Sequence, residues 1–275
     1  MKPQYQGGNL GTDNCSCYSC LAAFLIRAQL RKKGVMDMHL IKAVVEHNDN
    51  GFLVYADNYC GAYTRGRTEA EALGKLKGEV QKYLLWATGN NITGNEPIEI
   101  SVVQRKVSNL QICDADSDVI FETEKLPLSE KEYSRLKTLV IKSANDFEEL
   151  YVSIPDKNRT TLTERQTFYG HVPRTAYEMY EHTNNVTNYY VGEIGITVNN
   201  LPNIIENRIN AFERIESTSY FLKNTTYDGS YGEQWSLKKV LRRFIWHDRI
   251  HARAMYRMAT NIWGKQDIRN PYFFD

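Results

Sequence analysis

Residues 236–258 read SLKKVLRRFIWHDRIHARAMYRM and predict one long helix near the C-terminus. Ser236 is a favourable N-cap, and neither proline nor glycine interrupts the run before Gly264. Its inward seam has the spacing of a helix with one buried face. The seam comprises Leu237, Val240, Phe244, His247, His251, Ala254 and Met258.

The two histidines of that seam, His247 and His251, lie one above the other because four residues separate them. An unpaired buried polar group costs roughly 1–3 kcal/mol, so imidazoles on a buried face need partners. One metal ion can serve both rings. Hydrogen bonds to the backbone, or exposure to solvent, are the alternatives that the pair leaves open.

The length, composition and charge of the chain limit which classes of protein it can belong to. Its 275 residues favour two domains, and its hydrophobic content of 42% is ordinary for a soluble globular protein. A net charge of +1 gives no general indication of binding to nucleic acid or to an anionic membrane. Five cysteines predict reduced thiols and a cytoplasmic location. No apolar run approaches the roughly 20 residues of a membrane span, and residues 21–26 are too short for a signal core.

Residues 1–37 are interpreted as a partly disordered N-terminal extension, since glycines are frequent at its start. Cys15, Cys17 and Cys20 form a C-x-C-x-x-C pattern without a fourth ligand nearby, which disfavours a metal site. The sequence leaves the role of these cysteines open.

Residues 38–107 predict a β-β-β-α-β unit. Asn-Gly at 50–51 between two β-rich runs indicates a hairpin, and Thr68 opens a helix that Gly89 ends. The unit resembles the HicB-like antitoxin fold. The residues that carry the resemblance are Gly51, Asp57, Gly61, Gly66, Thr68, Glu71 and Ala72, with Ala56 where the family usually has proline.

The HicB-like resemblance implies a module related to double-stranded-RNA-binding domains, which docks RNA or a protein partner. The charges of the predicted helix are balanced, and this favours a structural or docking role over RNA binding. Residues 108–128 are acidic and end near Pro127, so we interpret them as a linker between two domains with separate cores. The sequence also leaves a homodimer open.

Residues 129–275 contain four seamed helical segments, the first of which opens with a capping box at Ser129. Four such segments predict a four-helix bundle. The second segment begins near Pro173 and carries His182 on its seam. At 1.5 Å per residue, His182 and His247 both lie roughly 15–16 Å into parallel helices, so the three histidines are expected at one level. His171 lies about 16 Å away along the axis by the same rise and is a poor ligand candidate.

The last helix and the closing P-Y-F-F also resemble the DinB-like superfamily. The resemblance implies that His182, His247 and His251 bind a divalent metal ion, with Zn²⁺ favoured and Ni²⁺ or Fe²⁺ as alternatives. It further implies a thiol-dependent transferase, or a hydrolase, acting on a small electrophile. Asp248 and Glu178 are the nearest acids in sequence that could orient the metal ligands, although both are expected to face solvent. Arg243 is expected on the helix surface, either inert or in contact with an anionic substrate.

The overall expectation is an α+β chain with a HicB-like domain and a DinB-like bundle. Its function is either a metal-dependent enzyme or a regulatory, stress-response binding protein. In the second case the bundle is structural, and residues 38–107 dock RNA or a protein.

Overall fold

The computed structural model describes residues 39–89, 98–167 and 170–275. The predicted N-terminal extension, including Cys15, Cys17 and Cys20, lies outside these residues. The fold is α+β: a four-stranded sheet comes first and five α-helices accompany and follow it. In the described part of the chain, no helix combines the length and the apolar character needed to cross a bilayer.

The sheet has the order β3-β2-β1-β4. Its strands are β1 (His39–Asn48), β2 (Gly51–Ala56), β3 (Tyr63–Gly66) and β4 (Ile98–Val107). β1 and β2 form the predicted hairpin, in which Asn48 pairs with Gly51. β2 pairs antiparallel with β3, whereas β1 pairs parallel with β4. A parallel pair needs a crossover connection, and helix α1 (Glu69–Thr88) supplies it.

The boundaries of α1 follow the sequence signals. The Thr68 side chain accepts a hydrogen bond from the Glu71 amide at 3.1 Å, which satisfies a free donor of the first turn. Gly89 ends the helix with a left-handed backbone, φ 71°. Leu76 and Val80 of α1 are buried against one face of the sheet.

The segment at 108–128 covers the opposite face of the sheet and is not an exposed linker. Ile112, Val119 and Phe121 are buried there with Tyr55 of β2 and with Trp246. Their apolar side chains lie between the acidic residues that dominate the sequence pattern. The segment therefore makes the sheet the middle layer of a three-layer packing.

Four further helices pack together: α2 (Glu130–Ser153), α3 (Ala176–Gly192), α4 (Ile204–Glu216) and α5 (Leu237–Trp263). Each of α4 and α5 contacts both α2 and α3, which is the arrangement of a four-helix bundle. Ser129 and Ser236 cap α2 and α5 as the sequence predicts. α3 begins later than Pro173, since Thr175 and Glu178 form its capping box.

Residues 39–275 form one compact unit, and the main hydrophobic core contains residues of both the sheet and the bundle. The sequence predicts two separate cores instead. The difference arises at α5. There 17 of the 27 residues are buried, which is more than the single buried face expected from the sequence can contain. α5 is buried on the bundle side and also against the sheet, through Ile245 and Trp246.

Buried ion pairs let the charged residues of α5 lie in this core. Arg249 donates to Glu79 of α1 at 2.8 Å, and Arg253 binds the other oxygen of Glu79 at 2.7 Å. Arg242 pairs with Glu124 of the 108–128 segment at 2.5 Å. The partners come from elements distant in sequence, so the pairs hold the sheet against the bundle.

A Gly61→Ala substitution is expected to destabilise the protein by about 2 kcal/mol or more. Gly61 has φ +91°, and a Cβ there would lie 2.9 Å from Cβ of Ile245 and 3.3 Å from the Trp246 amide nitrogen. Chemical denaturation measures the effect. The matched control is Gly74→Ala in α1, where a Cβ meets nothing within 4 Å and helix propensity predicts a gain of about 0.5–1 kcal/mol. Equal effects at the two positions would contradict this packing.

Candidate metal centre

Helix α3 holds His182 in its second turn. The capping box of Thr175 and Glu178 fixes the start of the helix. Met179 and Thr183 are buried on the side of the helix that faces the bundle. Glu178 accepts hydrogen bonds from the Arg174 and Thr175 amides at 2.7 and 3.2 Å. Its carboxylate therefore caps the N-terminus of α3.

Helix α5 supplies the other two rings. His247 is 8% exposed, His251 is half-buried, and their ring centroids lie 4.5 Å apart, as expected for residues one turn apart. The Nδ1 atom of His247 is buried and has no hydrogen-bond partner among the described residues.

The structure brings His182, His247 and His251 together. The ring centroid of His182 lies 5.0 Å from that of His247 and 4.8 Å from that of His251. One ligand atom from each ring lies within 4.8 Å of the others. His171 is exposed on the short strand Gly170–His171 and does not belong to this cluster. The three histidines therefore lie together as expected, although α3 begins at Ala176 and not near Pro173 as the estimate from helix rise assumed.

The three nitrogens suit a single metal ion. Two imidazole ligands of tetrahedral Zn²⁺, each at 2.0–2.1 Å, lie about 3.3 Å apart. The Nε2 atoms of His182 and His247 are 3.2 Å apart. The same distance also fits a hydrogen bond between the two rings. The ligand nitrogen of His251 lies within 4.8 Å of the other two, so a ring movement of at most about 1.5 Å brings it to the ligand distance.

Burial keeps the three rings neutral. It lowers the pKa of His247 and of His251 well below the ordinary histidine value, and it lowers the pKa of His182 in the same direction. The neighbouring imidazoles add to the effect, because a second charge in the cluster would be repelled. Only a neutral ring binds a metal, so the site is in its ligand form at neutral pH.

The metal-free protein is expected to lose stability as the pH falls below about 6.5, because the unfolded chain then binds protons that buried His247 and His251 do not. The loss is at most about 1.4 kcal/mol per ring for each pH unit. Urea unfolding at pH 7.5 and 5.5 measures it. A His247→Gln/His251→Gln variant separates the contribution of the imidazoles from that of Glu46. Burial raises the pKa of Glu46 to about 7, so the effect of Glu46 on stability has the opposite sign. Equal slopes for wild type and variant would contradict the expectation.

Two charged residues near the histidines lie elsewhere than the sequence predicts. Asp248 does not face solvent; it is fully buried and binds Arg208 of α4 at 3.0 Å. Arg243 is not on the surface either, since it is 6% exposed and pairs with Glu233 at 2.7 Å. Both belong to faces of α5 that the bundle seam does not include.

Acidic and basic residues are mixed on the exposed face of α1, and some of them are paired. Glu71 binds Lys75 at 2.6 Å, and Glu69 binds Arg105 of β4 at 2.8 Å. The helix therefore presents mixed charges, and this pattern is unlike the basic surface that binds RNA backbone.

The three histidines line a cavity of about 370 Å³. α3 and α5 form one wall, and the other wall includes Tyr63 and Arg65 of β3 and the chain at 114–117. These residues are absent from the site expected from the sequence, because no local pattern signals that β3 lies opposite the bundle histidines. No family model matches this chain, and neither does any curated protein or any solved structure.

Proposed function

We propose that this protein is a metal-dependent enzyme in which His182, His247 and His251 hold one divalent ion, with Zn²⁺ favoured. The observation that supports the proposal is the convergence of three neutral imidazoles from two helices on one cavity. Three protein ligands leave an open coordination position, which is typical of catalytic rather than structural zinc sites. The resemblance to the DinB-like superfamily supports the same ligand set.

The reaction class that we propose is the attack of a small thiol, or failing that of water, on an electrophilic substrate. A divalent ion at the three rings would favour the thiolate form of a bound thiol at neutral pH. The protein itself contributes neutral ligands, which leave the positive charge of the ion undiminished. Trp246, Ile250 and Met179 add apolar wall beside the histidines and limit access of bulk water.

In this proposal the sheet domain, which resembles HicB-like modules, forms part of the substrate cavity. Tyr63 of β3 is 3% exposed and lines the cavity, and its ring lies 6.2 Å from that of Trp246. Arg253 lies 5.5 Å above the Tyr63 ring. The sheet is thus joined to the wall that carries the histidines, so its role is to shape the site.

The test uses protein loaded with Zn²⁺ or Ni²⁺, a panel of cellular thiols and the chromogenic electrophile 1-chloro-2,4-dinitrobenzene. We expect thiol consumption above background that falls to background in His251→Ala. His47→Ala is the control, since His47 lies on β1 outside the cavity lining and should leave the rate unchanged. If no thiol alters the spectrum of the Ni²⁺ form and no metal gives turnover, the enzyme proposal fails.

A further inference from the structure

The cavity that contains the histidines is rich in arginine. Its wall has five guanidinium groups and three carboxylates. The arginines are Arg65, Arg165, Arg243, Arg253 and Arg257, and the acids are Asp114, Asp116 and Glu233. The lining therefore carries a net positive charge even before a metal ion is added.

Three of these guanidinium groups are held by carboxylates of the protein. Arg165 binds Asp114 at 2.8 Å, Arg243 binds Glu233 and Arg253 binds Glu79. These contacts hold the three side chains in place, so they are less free to turn toward a charged ligand.

The other two are available. Arg65 is exposed and donates to the carbonyl oxygen of Cys113 at 3.2 Å, which leaves its charge uncompensated. Arg257 is exposed, and its side chain has no ion pair or hydrogen bond with any residue that the structure describes. One lies on the sheet and the other on α5, so together they bring free positive charge to the cavity from both walls.

The distance from the histidines to Arg257 sets the length of a ligand that meets both. Arg257 follows His251 by six residues on α5, which corresponds to about 9 Å along the helix axis. Ala254 lies between them on the cavity wall, and Ile250 adds apolar surface beside His251. A ligand that fits this order has an apolar middle between two polar ends.

We infer that the substrate carries an anionic group, a carboxylate or a phosphate, which Arg65 and Arg257 bind while its other end reaches the three histidines. This inference rests on the proposed function for the role of the histidine end and deepens it by naming the substrate class. Guanidinium groups bind both kinds of anion through paired N–H donors, and the charge assists each hydrogen bond.

The first arm of the test uses Co²⁺-loaded protein and follows the cobalt absorption spectrum. 6-Mercaptohexanoate is compared with the uncharged 6-mercaptohexan-1-ol. At low ionic strength we expect about tenfold tighter binding of the carboxylate, a difference that added salt reduces. Arg65→Gln/Arg257→Gln should abolish the preference. Arg214→Gln, an exposed arginine of α4 outside the cavity wall, should retain it.

The second arm uses metal-free protein and titration calorimetry with hexanoate, hexyl phosphate and hexan-1-ol. We expect both anions to bind better than the alcohol in wild type and not in the double variant, and their ranking identifies the anion. If carboxylate and alcohol bind alike in both arms, the inference is wrong, although a cobalt spectrum that responds to thiol would leave the metal proposal standing. If the anions bind through the arginines but Co²⁺ does not bind, the metal proposal fails and the anion site remains.

Discussion

Replacing His182 with alanine is expected to lower metal affinity by more than about 100-fold. Loss of a group that only orients a metal ligand typically costs 10–100-fold, so loss of a ligand should cost more. The effect should be clear because the rings of His182 and His247 contribute the closest pair of nitrogens, 3.2 Å apart. Metal content of protein dialysed against a weak chelator should fall from about one ion per chain to near zero, measured by elemental analysis.

The control for this experiment is His171→Ala, which removes an exposed imidazole from the same cavity but outside the three-histidine cluster. Its metal content should match that of the wild type. Circular dichroism should show both variants folded, since His182 is more exposed than His247. Unchanged metal content in His182→Ala at neutral pH would mean that the three histidines are not the ligands.

The Glu79→Gln variant is expected to lose about 3–5 kcal/mol of unfolding free energy, the usual cost of removing one partner from a buried ion pair. Glu79 is the common partner of Arg249 and Arg253, and the side chains of Glu79 and Arg249 are 5% and 0% exposed. Two Arg249 nitrogens are already without a hydrogen-bond partner among the described residues, so the guanidinium would be left uncompensated in the core. Urea denaturation gives the value directly.

The matched control is Glu149→Gln, which breaks an exposed pair with Arg269. Those side chains are 45% and 68% exposed, so solvent screens the pair and the change should stay within about 0.5 kcal/mol. A small loss in Glu79→Gln would show that the sheet and the bundle do not depend on this contact. A single cooperative transition in wild type would agree with one shared core.

The sequence predicts the elements of this fold well because their signals are local. Thr68, Ser129 and Ser236 were expected as N-caps, and each accepts the hydrogen bond of a helix start. The expected hairpin joins β1 to β2, although its two turn residues are Asp49 and Asn50, since Gly51 already pairs with Asn48. Capping and turn formation need only a few neighbouring residues, so a short window of sequence contains the whole cause.

The grouping of the three histidines was also predicted from the sequence, although their proximity depends on tertiary structure. His247 and His251 share a face because helical periodicity places them one turn apart. His182 required a further assumption, that α3 and α5 run side by side, and the rise of an α-helix then set the level. Whether the cluster binds metal remains a prediction.

By itself, the sequence determined the starts of α1, α2 and α5, the hairpin of β1 and β2, and which residues of α5 share the bundle seam. Only the tertiary structure decided that α5 is buried on several sides, that residues 108–128 cover the sheet, and that Arg65 of β3 lies in the cavity of the bundle histidines. The physical reason is that a charged side chain such as Arg249 looks solvent-exposed in a sequence. Its burial becomes favourable only when Glu79, 170 positions away, supplies the opposite charge.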